Sequence, residues 1–122
     1  MTTWRQRLGA LGEEVASRRL QELGYTILER NYRCPAGEID IVAEEGEVLA
    51  FVEVRAKSQG GALRPIESVD FTKRRRLVAL AQLYLAKEKV LDRPCRFDVA
   101  EVILNEKGKV SSVELLRDAF GG

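Results

Sequence analysis

Five consecutive apolar residues, from Val48 to Val52, constrain the fold of this chain more than any other segment. In a β-strand alternate side chains point to opposite faces, so an uninterrupted apolar run needs cover on both faces of its sheet. The run therefore predicts a central strand, over residues 48–56, between two layers of other elements. Glu53 directly follows the run, and a carboxylate there is costly to bury unless it is paired or coordinated.

Two helical patterns and four further strand patterns surround this run. Apolar residues recur at three- to five-residue steps over residues 4–23, and Asp70 is a suitable N-cap for a second helix that reaches residue 87. The other β-rich segments are residues 25–30, 38–43, 96–104 and 110–116. The predicted order is α-β-β-β-α-β-β. We interpret it as one α/β domain over residues 1–122, with helices packed on a mixed sheet.

The residue types that the chain lacks exclude several classes of enzyme. It contains no histidine, which rules out Ser-His-Asp and Cys-His catalysis and histidine-rich zinc sites. Its two cysteines, Cys34 and Cys95, lack zinc-site spacing and are too few for a disulfide framework. A reducing, cytoplasmic setting is expected, although a single disulfide stays open. No segment has the pattern of a signal peptide or a membrane span, so a membrane partner is not expected.

Basic residues are concentrated in the middle of the chain. The totals nearly cancel, with 20 Lys and Arg against 19 Asp and Glu, but residues 54–96 contain 11 basic and 4 acidic residues. Four consecutive cations begin the second predicted helix, where the helix dipole disfavours positive charge. Binding to nucleic-acid phosphates explains this placement, and a solvated cationic face is the alternative. The candidate phosphate contacts are Lys57, Arg64, Lys73, Arg74 and Arg75.

A predicted hairpin brings two carboxylates together. If Glu45 and Gly46 are its two loop residues, Asp40 and Glu53 become diagonal neighbours on one face of the sheet. Their Cα atoms are then about 7–8 Å apart, which leaves room for one hard cation between the side chains.

Two basic residues share the face of these carboxylates, because alternation along the strand places Arg55 and Lys57 beside Glu53. Mg²⁺ usually takes one or two protein carboxylates and completes its shell with water, whose pKa it lowers. The pattern predicts a metal site formed by Asp40 and Glu53 that cleaves phosphodiester bonds. The alternative is a solvated sheet face with ordinary cross-strand ion pairs.

Short motifs over nearly the whole chain resemble the YraN family of bacterial proteins. They are GE at 12–13, NYR at 31–33, GEID at 37–40, FVEVR at 51–55, RFDV at 96–99 and DAF at 118–120. That family is similar to archaeal Holliday-junction resolvases of the restriction-endonuclease-like PD-(D/E)xK superfamily. The resemblance implies an α-β-β-β-α-β nuclease core, a Mg²⁺ or Mn²⁺ cofactor and a nucleic-acid substrate.

The resemblance also implies roles for particular residues. Asp40 and Glu53 correspond to the metal-binding acids, and Glu13 corresponds to the helix glutamate of resolvase-like members. The motif's lysine falls on Arg55, which departs from the pattern because arginine stays protonated and cannot act as a general base. Lys57 and Lys73 are the alternatives for that role.

Three functions follow as expectations. The first is a metal-dependent endonuclease acting on structured or branched DNA. The second is a catalytically inactive DNA-binding or repair-accessory module with the same fold, and the third is a protein-interaction domain without a nucleic-acid partner. Because resolving a junction needs two active sites, the first function also suggests a homodimer.

Overall fold

A computed structural model describes residues 4–58 and 70–120 of the chain, and the side chains of residues 9–56, 58 and 70–120. In these ranges two helices and five strands follow one another in the predicted order. They are α1 (Trp4–Glu22), β1 (Thr26–Cys34), β2 (Gly37–Glu45), β3 (Val48–Ser58), α2 (Phe71–Lys87), β4 (Cys95–Leu104) and β5 (Val110–Phe120). The predicted α/β class is confirmed.

All five strands form one mixed sheet in the order β1-β2-β3-β4-β5. The pairing of β3 with β4 is parallel, while the other three pairings are antiparallel. Parallel neighbours need a crossover connection, and α2 provides it here. Its first turn is capped as predicted, because the Asp70 side chain accepts a hydrogen bond of 2.9 Å from the backbone N–H of Lys73.

The central position predicted for the apolar run is confirmed, since residues 49–52 of the run pack into two separate clusters on opposite faces of the sheet. One cluster, toward α2, includes Leu49, Phe51, Leu77, Leu80, Tyr84, Phe97 and Val99. The other, toward α1, includes Ala16, Leu20, Tyr25, Ile41, Ala50, Val52 and Ala100. Each fully buried Leu or Phe side chain contributes about 1.5–3 kcal/mol of transfer free energy.

The pairing register of the hairpin between β2 and β3 differs from the predicted register by two positions, because its loop lies one residue later in the chain. Its loop residues are Gly46 and Glu47, because Glu45 pairs with Val48 and Ile41 pairs with Val52. Gly46 has a φ of 61°, and glycine at the first loop position is typical of a two-residue turn that follows the strand twist. The predicted loop at residues 45–46 is therefore wrong. Each side chain nevertheless keeps its predicted face, because the shift is even.

Two other expectations concern the cysteines and the membrane. Cys34 and Cys95 are both free thiols, so the disulfide that the sequence left open is not formed. Neither helix in the described ranges combines the length and apolar character needed to cross a bilayer.

Candidate active site

A cleft of about 380 Å³ opens where β2 and β3 separate. Their pairing ends at Ile41 and Val52. If the ladder continued for two more positions, the Val54 N–H would lie opposite Ile39. This N–H donates instead to the Asp40 side chain, at 2.8 Å from Oδ2. The Asp40 side chain therefore occupies the end of the ladder, and residues of α1, β2, β3 and α2 line the space beyond it.

Asp40 and Glu53 both line this cleft, as the strand pattern predicted. The observed register, continued by one position, sets them directly opposite each other, a closer relation than the predicted diagonal. Burial, followed by the charge of Glu53, raises the pKa of Asp40 from 3.8 to about 8. Burial also raises the pKa of Glu53, while the Arg55 guanidinium opposes that rise. The facing carboxyl groups therefore need a proton or a cation between them.

Two cations contact one oxygen of Glu53. Arg55 Nη2 lies 3.0 Å and Lys73 Nζ 3.2 Å from Glu53 Oε1, and the Glu53 side chain is only 7% exposed. Lys73 reaches this position because Asp70 fixes the first turn of α2. Arg55 Nε is buried and has no hydrogen-bond partner among the residues that the structure describes, so this guanidinium has donor capacity left within the site.

The predicted helix residue Glu13 also lines the cleft. Glu13 reaches the cleft because α1 packs closely on β3. The neighbouring Gly12 shows how close this packing is, since a Cβ added there would lie 3.6 Å from Val54 Cγ1. Asn31 Nδ2 donates to Glu13 Oε2 at 2.8 Å. The backbone of Asn31 has a φ of 54°, a left-handed conformation that asparagine adopts more readily than most residues. Asn31 thus orients Glu13, and the charge of Glu13 adds to the rise in the pKa of Asp40.

Two of the remaining predicted residues lie away from the cleft. Arg74 and Arg75 line a separate groove beside α2. Arg64 lies outside the described residues, and so does the side chain of Lys57. Arg76 lines the cleft but was not among the predicted site residues. Its position three residues after Lys73 on a helix could have identified it, because such residues share one face.

A second polar cluster, around Asp98, lies on β4 and has a structural role. Asp98 is fully buried, and its carboxylate accepts hydrogen bonds from Tyr25 Oη at 3.1 Å and Arg96 Nε at 3.2 Å. It also accepts one from the backbone N–H of Asp118 at 2.8 Å. These bonds satisfy the buried charge and connect β4 with β5 and with the segment before β1.

Within residues 4–58 and 70–120, no three or more His, Cys, Asp or Glu side chains are gathered closely enough to hold a metal ion. The carboxylates that line the cleft are the facing pair Asp40 and Glu53, together with Glu13 and Glu38. A pair is sufficient for Mg²⁺, which keeps several water ligands in most protein sites.

Comparison with known sequences gives a family but no activity. The profile of the family described as "Uncharacterised protein family UPF0102" matches residues 12–102, which include every cleft residue named above. A UPF0102 protein of Moorella thermoacetica is 50% identical over 120 residues, covering 98% of this chain and all of the relative. One of Clostridium kluyveri is 42% identical over 122 residues, covering 98% of both chains.

Proposed function

The chain belongs to the uncharacterised protein family UPF0102, and from this premise we propose that it is a divalent-metal-dependent endonuclease acting on structured or branched DNA. The membership confirms the family resemblance predicted from the sequence. The relation to resolvases and restriction-endonuclease-like nucleases is part of the proposal. The observation that carries it is the pair of facing carboxylates, the half-buried Asp40 and the buried Glu53, beside Arg55 and Lys73 in one cleft.

The residues of the cleft fit a hard divalent cation. Asp40 and Glu53 would hold it, because facing carboxylates in a desolvated site are stabilised by a shared positive charge. When bound, Mg²⁺ or Mn²⁺ supplies an activated water and neutralises charge on the phosphate. In its absence a proton on Asp40 has the same neutralising effect, which agrees with a pKa of about 8.

The other cleft residues supply the rest of the chemistry. Arg55 and Lys73 place positive charge where a scissile phosphate would enter, and this charge stabilises the additional negative charge of a phosphoryl transition state. Glu13, held by Asn31, is the residue that orients the attacking water and accepts its proton. Arg55 cannot take that role, because its guanidinium stays protonated.

A nicking assay on forked, junction, single-stranded and duplex DNA with Mg²⁺ or Mn²⁺ tests this proposal. We expect metal-dependent cleavage by the wild type and none by Asp40→Asn. We expect Arg55→Ala to lose about a hundredfold or more in rate, as removal of one preorganised electrostatic group typically does. Arg55→Lys should retain cleavage, since lysine keeps the charge.

Lys57→Ala is the matched control on the same strand. A loss of cleavage in Lys57→Ala together with an unaffected Arg55→Ala would transfer the cationic role to Lys57. Absence of cleavage by the wild type on all four DNA forms with both metals would refute the nuclease proposal.

One observation favours a second candidate, a catalytically inactive DNA-binding or repair-accessory module. Both Arg55 and Lys73 contact Glu53 Oε1, so the charge that a metal ion would supply is partly supplied by side chains. DNA binding with unchanged affinity in EDTA, without nicking, would support this module.

A homodimer, which two coordinated cuts would need, is tested by sedimentation of the protein alone and with junction DNA.

A further inference from the structure

The side chain of Phe71, at the first position of α2, is 72% exposed, the largest value among the exposed large hydrophobic side chains in the described ranges. A phenylalanine in this position gains nothing from the core, and exposed aromatic groups commonly mark binding surfaces. Phe71 does not touch the cleft, so the proposed chemistry leaves its exposure unexplained.

The surroundings of Phe71 are basic. The Arg75 guanidinium lies over the Phe71 ring, 5.7 Å from its centroid, and Arg74 lies 5.4 Å from the centroid of Phe120. Together with Gln82, these side chains line a shallow groove of about 610 Å³. A cation over an exposed aromatic ring stabilises that arrangement by about 0.5–1 kcal/mol, so the groove combines an aromatic surface with positive charge.

The groove and the cleft lie on opposite sides of the start of α2. Residues two positions apart on a helix point in nearly opposite directions, and Lys73, two residues after Phe71, contacts Glu53 in the cleft. Since an α-helix with its side chains is about 10–12 Å wide, a nucleic-acid strand that crosses the first turn of α2 would contact both sites.

We propose that Phe71 is a stacking platform for an unpaired nucleobase next to the scissile phosphate, with Arg75 binding the neighbouring backbone. This inference rests on the proposed function and specifies its substrate as DNA or RNA with a single-stranded flank. Aromatic rings accept any base because every base has a π-face. In a continuous duplex those faces are already stacked, so they are available only at branches, flaps and ends.

The charge of the groove argues against a second copy of the chain as its occupant. A two-fold contact would bring Arg74 and Arg75 of each copy toward the same residues of the other, and like charges in an interface are unfavourable. An unpaired nucleotide supplies both an apolar face for Phe71 and a negative phosphate for Arg75.

Fluorescence anisotropy with a splayed-arm DNA, its RNA equivalent and a fully paired duplex of equal length tests the inference. We expect Phe71→Ala to weaken binding of the splayed arm about 5- to 150-fold, the range for loss of one stacked base. Binding of the duplex should change less than twofold. Phe71→Trp should retain the affinity for the splayed arm. The comparison of the DNA and RNA arms shows whether the type of sugar affects binding.

Leu91→Ala is the matched control, because Leu91 is 69% exposed outside the groove and the cleft. Equal weakening of splayed and paired DNA by Phe71→Ala would overturn the stacking role, and so would unchanged affinity for both. A loss of self-association with normal DNA binding would assign the surface to a second copy and also overturn it. Failure of the wild type to bind any nucleic acid would refute the proposed function itself.

Discussion

We expect Asp40→Asn to make the metal-free protein more stable, although it removes a residue of the candidate active site. In the folded chain burial and the facing Glu53 raise the pKa of Asp40 from 3.8 to about 8. A raised pKa means that the folded state holds the proton more tightly than the unfolded state. The stabilisation from this group is therefore complete below pH 3.8 and is lost as the pH rises toward 8.

The size of the effect follows from the same values. A pKa difference of about four corresponds to about 1.4 kcal/mol for each pKa unit. The folding free energy that is lost by ionising Asp40 above pH 8 therefore has an upper limit of about 6 kcal/mol. Asn removes the charge but keeps an oxygen that can accept the hydrogen bond from Val54. Because relaxation of the cleft reduces the cost of ionising Asp40, we expect a gain of about 2–4 kcal/mol at pH 9 and a negligible change at pH 4.

Urea denaturation in EDTA from pH 4 to pH 9 measures this effect. Glu22→Gln is the control, because Glu22 is an exposed carboxylate outside the cleft that pairs with Arg19 at 3.4 Å, and an exposed pair contributes about 0–1 kcal/mol. Adding Mn²⁺ at a hundred times its dissociation constant should stabilise the wild type by about 2.7 kcal/mol and leave Asp40→Asn unchanged.

Lower stability of Asp40→Asn at pH 9 in EDTA would refute this reasoning. It would mean that the hydrogen bond from the Val54 N–H to the ionised carboxylate outweighs the repulsion from Glu53. An equal response of both proteins to Mn²⁺ would remove Asp40 from the proposed metal site.

Further predictions concern DNA binding, catalysis and packing. Changing Arg74 and Arg75 together to Ala should reduce the slope of log K against log salt by roughly one for each lost phosphate contact, measured by anisotropy at several salt concentrations. Arg55→Ala should leave DNA affinity nearly unchanged while cleavage falls, because its guanidinium acts in the cleft. Gly12→Ala should raise the melting temperature, since an added Cβ meets neighbours at 3.6 and 3.9 Å and alanine favours a helix by up to about 1 kcal/mol. Gly37→Ala should lower it, because Gly37 has a φ of 143° and the Cβ would lie 3.3 Å from Leu80.

The sheet could be predicted from the chain because its strands carry strong patterns, whereas the hairpin register could not. Residues 48–52 are apolar on both faces and therefore belong at the centre. In the segment Glu45, Gly46, Glu47, however, glycine suits either position of a two-residue turn. The two choices differ by an even shift, so the sequence predicted which side chains share a face but not which residues are opposite.

The carboxylate pair of the candidate site was predictable because it depends on strand alternation. This pattern brought Asp40 and Glu53 together, the family resemblance added Glu13, and the structure places all three in one cleft. Phe71 was not predicted, because an aromatic residue at the start of a helix usually joins the core. Its exposure depends on where α2 docks on the sheet, which a single sequence does not specify.

The order of the strands leaves β1 and β5 at the two edges of the sheet, where unpaired backbone groups can recruit another chain. Both edges are protected against this. The register of β1 with β2 shifts between Ile27 and Glu29. The register of β5 with β4 shifts between Phe97 and Val99 of β4. Such bulges and charged side chains discourage edge-to-edge aggregation. We therefore expect any dimer of this chain to form through its helices or loops and not by continuing the sheet.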